Sequence, residues 1–405
     1  MLQADPRNTP LDQINLANIE LFAADAQWPW FERLRREEPV HYCSQSLFGP
    51  YWSVTRYADI RQVEAAHDLF SSRPAITLRD PDEDFTLPMF IAMDEPEHSL
   101  QRNAVNPAVT ARNVPNFAGL IRERTCRVLD SLPVGETFNW VDQVSIELTT
   151  MMLATLFDFP FEDRRKLTRW SDVSTAIPGF GIVETEEQRR AEMLECLEYF
   201  TVLWNERVNA PPANDLISML AHGEAPRHME PFTYLGNLIL LIVGGNDTTR
   251  NTMSAAVLAL NLFPTEYRKL RENPRLIPGL VAETIRWQTP LTYMRRTALR
   301  DTQLGGKQIE KGAKVALWYL SGNRDETVFE NPDDFVIDRP RAPKHLSFGY
   351  GIHRCMGSHL AELQLCILWE EILRRFSRVE VTGDPVRVPS IFIRGYSALP
   401  VRLHR

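Results

Sequence analysis

Phe348-Gly349-Tyr350-Gly351-Ile352-His353-Arg354-Cys355-Met356-Gly357 is the stretch on which the reading of this chain turns. It sets a cysteine just before a predicted helix, Met356 to Phe376, and after a loop that carries two glycines. A thiolate at a helix N-terminus gains from the positive end of the dipole and from backbone N–H donors, which lower its pKa. Glycines let a backbone approach a bulky flat partner. Phe348 can pack beside the sulfur, and His353 and Arg354 add positive character. A lone cysteine is ordinarily a buried, inert thiol, which is the reading given to Cys43, Cys126, Cys196 and Cys366. A catalytic cysteine would want a histidine base and a substrate-facing position. An iron ligand needs only the thiolate and a cleared approach, and the pattern around Cys355 favours chemistry over an inert thiol.

Outward from this stretch the chain has 405 residues, 44% hydrophobic and 24% charged, the ordinary globular mix. That length buries a core without disulfide or metal staples, and the composition excludes disorder as the main state. A net charge of −8 argues against a dedicated nucleic-acid binder. The five cysteines are odd in number and scattered, with no CxxC, which argues against a disulfide framework or a structural zinc site. A reducing, cytoplasmic setting is expected. The leading residues Met1 to Arg7 stay polar, so no signal peptide is read there. The longest strongly apolar run, Leu238 to Val243, falls far short of the roughly 20 residues of a membrane span.

The pattern predicts a mainly α protein with small β-sheets, organised as a single domain over residues 1–405. Val40–Cys43 and Tyr51–Thr55 read as a strand pair around Phe48-Gly49-Pro50. Gln188 to Val208 has helical spacing, Pro211-Pro212 break it, and Asn214 is placed to cap the next helix at Asp215. Phe232 to Leu262 reads as a long buried central helix, and Ile277 to Gln288 as a further one. Strands are expected at Thr292–Ala298 and Lys314–Leu320.

The central helix contains Gly244-Gly245-Asn246-Asp247-Thr248-Thr249. Each mid-helix glycine costs about 1 kcal/mol relative to alanine, so something needs the space. Gly244 and Thr248 share a face, with Asp247 beside it. A notch, a hydroxyl and a carboxylate suit oxygen binding and proton delivery. The alternative is a kink with threonine bonded back to the helix carbonyls.

Phe348-Gly349-x-Gly351-x-His353-x-Cys355-x-Gly357 resembles the haem-binding loop of the cytochrome P-450 superfamily, and Gly244 to Thr249 resembles its oxygen-activation segment. The resemblance implies a haem b sandwiched between the long central helix and the Cys loop. It makes Cys355 the axial thiolate, which pushes electron density onto the iron and favours O–O cleavage. It makes Asp247 and Thr248 the acid–alcohol pair that feeds protons to oxygen activation. It assigns propionate contacts to His98, Arg102, Arg296 and His353, and counts Phe348, Gly349, Gly357 and Gly244 among the haem-binding positions. In the strand around Arg295-Arg296 the alternation leaves one arginine inward, and Arg296 is expected to be that one. Glu283, Arg286 and Arg339 match the superfamily's structural triad and are given a folding role.

Beyond these motifs, Arg286-Trp287-Gln288-Thr289-Pro290, Ser321-Gly322-Asn323-Arg324-Asp325-Glu326 and Met89-Phe90-Ile91-Ala92-Met93-Asp94 resemble the soluble bacterial alkane and fatty-acid terminal hydroxylases, family 153. That implies a monooxygenase inserting one atom of O2 at the end of a medium-length chain, giving a primary alcohol. Met89, Phe90, Ile91, Leu238, Leu241, Ile242, Leu291, Met294, Ile391 and Phe392 are the candidate pocket, a greasy slot that would impose terminal attack by positioning. Ile177 to Gln188 is expected to lid it. No GxGxxG opens a helix after a strand, so electrons are expected from NAD(P)H through an iron–sulfur ferredoxin and its reductase. A basic docking patch is expected near Cys355, with Arg339, Arg341, Lys344 and Arg354 as contributors. The rival readings are a steroid, terpenoid or macrolide hydroxylase on the same fold, a peroxide-driven peroxygenase, and a non-catalytic haem-thiolate sensor.

Overall fold

The computed structural model describes residues 5–224 and 226–405, so the reading of residues 1–4 as free of a leader lies outside the described residues. In chain order, the elements that carry the site begin with strands β1 (Val40–Cys43) and β2 (Tyr51–Val54), helix α1 (Tyr57–Ala65) and strand β3 (Phe70–Ser71). Helices α2 (Glu97–Val105), α3 (Ala118–Asp130), α4 (Glu147–Phe157), α5 (Arg165–Thr175), α6 (Glu186–Val208), α7 (Leu216–His222), α8 (Pro231–Leu262) and α9 (Ile277–Gln288) follow. Strands β4 (Met294–Ala298) and β5 (Lys314–Leu317) then precede helix α10 (Ser358–Arg375). Helix dominates, as the pattern predicted.

Helix α8 runs through the middle of the molecule. Pro231 opens it, with a fixed φ suited to a first helical turn. Its N-terminal half (Tyr234, Leu235, Leu238, Ile239, Ile242) packs in one apolar cluster with α4, α5 and α6. Its C-terminal half (Met253 to Leu260) packs in another with α3, α9 and α10. The Gly244-Gly245 notch falls between the two.

The sheet has the order β1-β2-β5-β4-β3 in these labels, with β2 and β5 parallel and the other neighbours antiparallel. Arg296 lies opposite Val315 in this register. Glu283 and Arg286 of α9 are fully buried and joined at 2.7 Å, and Arg339 Nε reaches the same carboxylate at 3.0 Å. The triad therefore forms, clamping the segment after residue 330 onto α9.

Several local expectations are corrected. Asp215, not Asn214, caps α7, its side chain accepting from the Ser218 N–H at 2.8 Å. The strand read as Lys314–Leu320 stops at Leu317, because the chain turns into a short helix at Tyr319–Gly322. Helix α10 starts at Ser358, so Cys355 sits three residues before it, on the loop. Both Arg295 and Arg296 are buried, at 3% exposure each, against the expected alternation. Arg295 escapes the rule because Asp80 covers the outer face of β4 and pairs with it at 2.7 Å. Among the described residues, no helix is long and apolar enough to cross a membrane.

Candidate active site

The Cys loop doubles back on itself, with the Cys355 N–H donating to the Phe348 carbonyl at 2.7 Å. Gly349 and Gly351 both take positive φ, 66° and 72°. A Cβ at Gly351 would lie 2.5 Å from the Glu64 carbonyl of α1. That glycine therefore clears a neighbouring helix, and not the approach of a flat partner as the sequence reading had it. The Cys355 side chain is exposed, but to an internal cavity. Burial pushes its thiol up, while the Gly357 backbone, Arg102 and Arg354 pull it down. The expected lowered thiol is thus corrected, because the sulfur lies deep in the protein and short of the helix end.

The cavity measures about 450 Å³. Phe348, Gly349, Cys355 and Gly357 line it from the loop, and Gly244, Gly245 and Thr248 line it from α8. A Cβ at Gly244 or Gly357 would meet nothing within 4 Å, so both positions leave room for a bulky occupant. Gly245 is different, since a Cβ there would strike Leu153 of α4 at 2.6 Å. His98, Arg102, Arg296 and His353 all line the same cavity. His98 bridges the Phe90 carbonyl (2.8 Å) and the Ile352 carbonyl (3.2 Å), and its ring lies 4.1 Å from that of His353. Arg102 donates to the Arg354 carbonyl at 2.6 Å.

His353 Nε2 meets Ser72 Oγ at 2.8 Å, and its buried Nδ1 has no partner. Burial and then Arg296 push the His353 pKa down to about 2, against the positive character expected of it. Among the described residues, no three His, Cys, Asp or Glu side chains converge as a metal site. A large cavity, glycine-opened walls, one thiol and a set of cations suited to carboxylates fit a haem with its propionates.

On α8, Thr248 donates its hydroxyl to the Gly244 carbonyl at 2.9 Å while lining the cavity, so the local back-bond considered from sequence is realised. Asp247 is buried and turned the other way. Its carboxylate meets Arg250 Nη2 at 2.9 Å and Asn246 Nδ2 at 3.2 Å, and Arg250 in turn pairs with Asp172 of α5. Burial raises the Asp247 pKa to about 6, with Arg250 opposing and Asp172 adding to the rise. The acid and the alcohol are therefore neighbours in the chain but face different sides of the helix.

Eight of the ten pocket candidates line the cavity: Met89, Phe90, Ile91, Leu241, Leu291, Met294, Ile391 and Phe392. Leu238 and Ile242 do not, and are corrected to core, fully buried against the α4–α6 cluster. The α8 residues that line the cavity at this level are Ile239, Leu240, Leu241 and Val243, with Gly244, Gly245, Thr248 and Thr249 one to two turns on. Asn237 holds the Met89–Ile91 wall, accepting from the Phe90 N–H at 2.9 Å. Ile177, at the start of the expected lid, lines the cavity.

Sequence reasoning missed Glu64, Ser72 and Asp172, and gave Arg250 no role of its own. Only Glu64 left a signal. It sits in the buried stripe Ile60, Val63, Glu64 of α1, where a carboxylate demands partners. Of the cations expected at a docking patch, Arg339 is taken up by Glu283, whereas Arg341, Lys344 and Arg354 are exposed.

A loop thiol facing a notched central helix across a cation-lined cavity defines a haem-thiolate protein. The family model for cytochrome P-450 matches residues 184–393, and the chain belongs to this family. The chain is similar to the solved structure of CYP153D17 from Sphingomonas sp. PAMC 26605, with 51% identity and a TM-score of 0.92 over 98% of this chain and 100% of that one. It is 33% identical to linalool 8-monooxygenase of Pseudomonas putida, over 97% of this chain and 99% of the relative. It is 31% identical to methyl-branched lipid omega-hydroxylase of Mycobacterium bovis, over 98% and 96%. The protein is a cytochrome P-450 monooxygenase, which implies haem b and a redox partner.

Proposed function

We propose that this monooxygenase hydroxylates the terminal carbon of medium-chain alkanes or fatty acids to a primary alcohol. The observation that carries the reading is the apolar lining that Leu241, Leu291, Met294, Ile391, Phe392 and the Met89–Ile91 wall give to the cavity that also holds Cys355 and Thr248. A saturated chain offers no hydrogen bonds, so shape and burial must hold it, at about 0.8 kcal/mol per buried CH2. The primary C–H bond is the strongest, and a cavity that admits the chain end first imposes attack there by position. Similarity to a family-153 structure and to a lipid omega-hydroxylase supports this reading.

Haem b, when bound, supplies the activation of O2. Cys355 would hold its iron, and Arg296, Arg102, His98 and His353 its propionates. Phe348, Gly349, Gly357 and Gly244 shape the walls around it. Thr248 holds a hydroxyl at the cavity, and Asp247 holds a carboxyl that can take up or give a proton near neutral pH. Electrons would come from NAD(P)H through a ferredoxin and its reductase, docking where Arg341, Lys344 and Arg354 are exposed. The chain would act as one domain, in the cytoplasm.

The test is chromatography of the products formed from a mixture of alkanes, fatty acids, linalool and a sterol, with a surrogate ferredoxin system. Primary alcohols and ω-hydroxy acids as the main products support the reading. Oxidation confined to linalool or the sterol overturns it.

A further inference from the structure

Glu64, near the end of α1, is 4% exposed, yet its carboxylate is held from three directions. One oxygen accepts from Arg296 Nη2 at 3.0 Å and from the Tyr319 hydroxyl at 2.5 Å. The other accepts from the backbone N–H of Tyr350, in the Cys loop, at 2.5 Å. The main chain of the same residue makes a further contact, since its carbonyl occupies the space that a side chain at Gly351 would need. Glu64 therefore touches strand β4, the short helix after β5, and the Cys loop twice. A buried carboxylate is costly, and a well-packed apolar residue would serve plain packing as well or better. What the carboxylate adds is a fixed tie between Arg296 and the loop. Arg296 faces the cavity, and its second amino group is held by the Arg295 carbonyl at 2.9 Å.

We propose that Glu64 is a positioning residue for the haem site: it sets Arg296 and the Cys355 loop at a fixed separation and tempers the positive charge Arg296 presents to the cavity. The proposal rests on the reading of Arg296 as a propionate contact. Two consequences separate. Removing the charge leaves Arg296 uncompensated, which favours the reduced, more negative state of a bound haem and raises its midpoint potential. Removing the reach loosens the tie between propionate contact and sulfur, and speeds haem loss.

The test uses the holoenzyme and the variants Glu64→Gln and Glu64→Asp. The measurements are the rate of haem transfer to excess apomyoglobin, the midpoint potential, the melting temperature and the spectrum of the reduced, carbon-monoxide-treated protein. Glu64→Gln is expected to lose haem about tenfold faster, the usual scale for an outer partner of a metal site, and to shift the midpoint upward. Glu64→Asp keeps the charge but is one methylene shorter. It is expected to lose haem faster with a midpoint closer to that of the parent. Should Glu64→Gln not accumulate as holoprotein, the haem-loss rate of Glu64→Asp decides alone. A lower melting temperature with haem loss and midpoint unchanged in both variants overturns the proposal. If the parent itself lacks the thiolate spectrum, the haem-thiolate reading fails instead, so the two failures are distinguishable.

Discussion

Thr248 and Asp247 are adjacent in the chain and divide between the two sides of α8. The Thr248 hydroxyl already has an acceptor in the Gly244 carbonyl, so its removal should leave the helix and the haem site standing. Thr248→Ala is expected to keep haem and to divert reduced oxygen to peroxide, read as more peroxide and less product per NAD(P)H consumed. Unchanged coupling would discard the proton role of Thr248. Asp247, with its pKa raised to about 6 by burial, should impart an inflection near that pH to kcat, absent in Asp247→Asn. The same shift has a stability consequence. The unfolded carboxyl ionises near 3.8 and the folded one near 6, so stability falls as pH rises through that window. A melting-temperature series should reveal this decline in the parent and not in Asp247→Asn. At this scale the local motif was legible, because Gly244, Asp247, Thr248, His353 and Cys355 signal through short spacings. Asp172 was not, and Glu64 showed only as a carboxylate in a buried stripe, because their partners lie 78 and 232 positions away and only folding brings them together.

Among the elements, the first turn of α6 meets the cavity-lining segment around Arg79–Phe85 through an ion cluster. Glu186 pairs with Arg79 at 3.0 Å and Arg189 at 2.6 Å, Arg190 reaches Asp84 at 2.7 Å, and Arg79 and Arg189 line the cavity. These contacts hold the Glu186 pKa down to about 2, against the cost of its burial. Its stabilisation is therefore present above the ordinary value of 4.5 and is lost as pH falls towards 2. The pairs are partly exposed, so each contributes about 1 kcal/mol or less. Glu186→Gln is expected to speed hydrogen exchange in the 79–85 segment while leaving α9 unaffected, and equal exchange in the two proteins would rule out the tie. Helix bounds were legible from periodicity to within two residues for α6, α8, α9 and α10. The facing of α8 was not, because a helix apolar on all sides carries no stripe to say that Leu238 and Ile242 turn to the core.

At the scale of the whole molecule, the Glu283–Arg286–Arg339 triad links α9 to the segment that leads into the Cys loop. Glu283 and Arg286 are fully buried and Arg339 nearly so, so removing the acid leaves two cations without their carboxylate. Glu283→Ala is expected to cost about 3–5 kcal/mol, measured by denaturant unfolding of the holoprotein. A loss below 1 kcal/mol would show the triad to be dispensable. The class of the fold was legible because a long buried helix, few strands and the Cys loop occur together, whereas the sheet order was not, because β2 meets β5 across more than 250 residues of chain. The central claim is that the Cys355 sulfur holds a haem iron, and the most direct measurement is the absorption spectrum of the reduced protein under carbon monoxide, beside that of Cys355→Ala. The account predicts the strongly red-shifted Soret band of thiolate ligation in the parent and its absence in the variant. An unshifted band in folded, haem-loaded parent protein, or a shifted band that survives in Cys355→Ala, would contradict it.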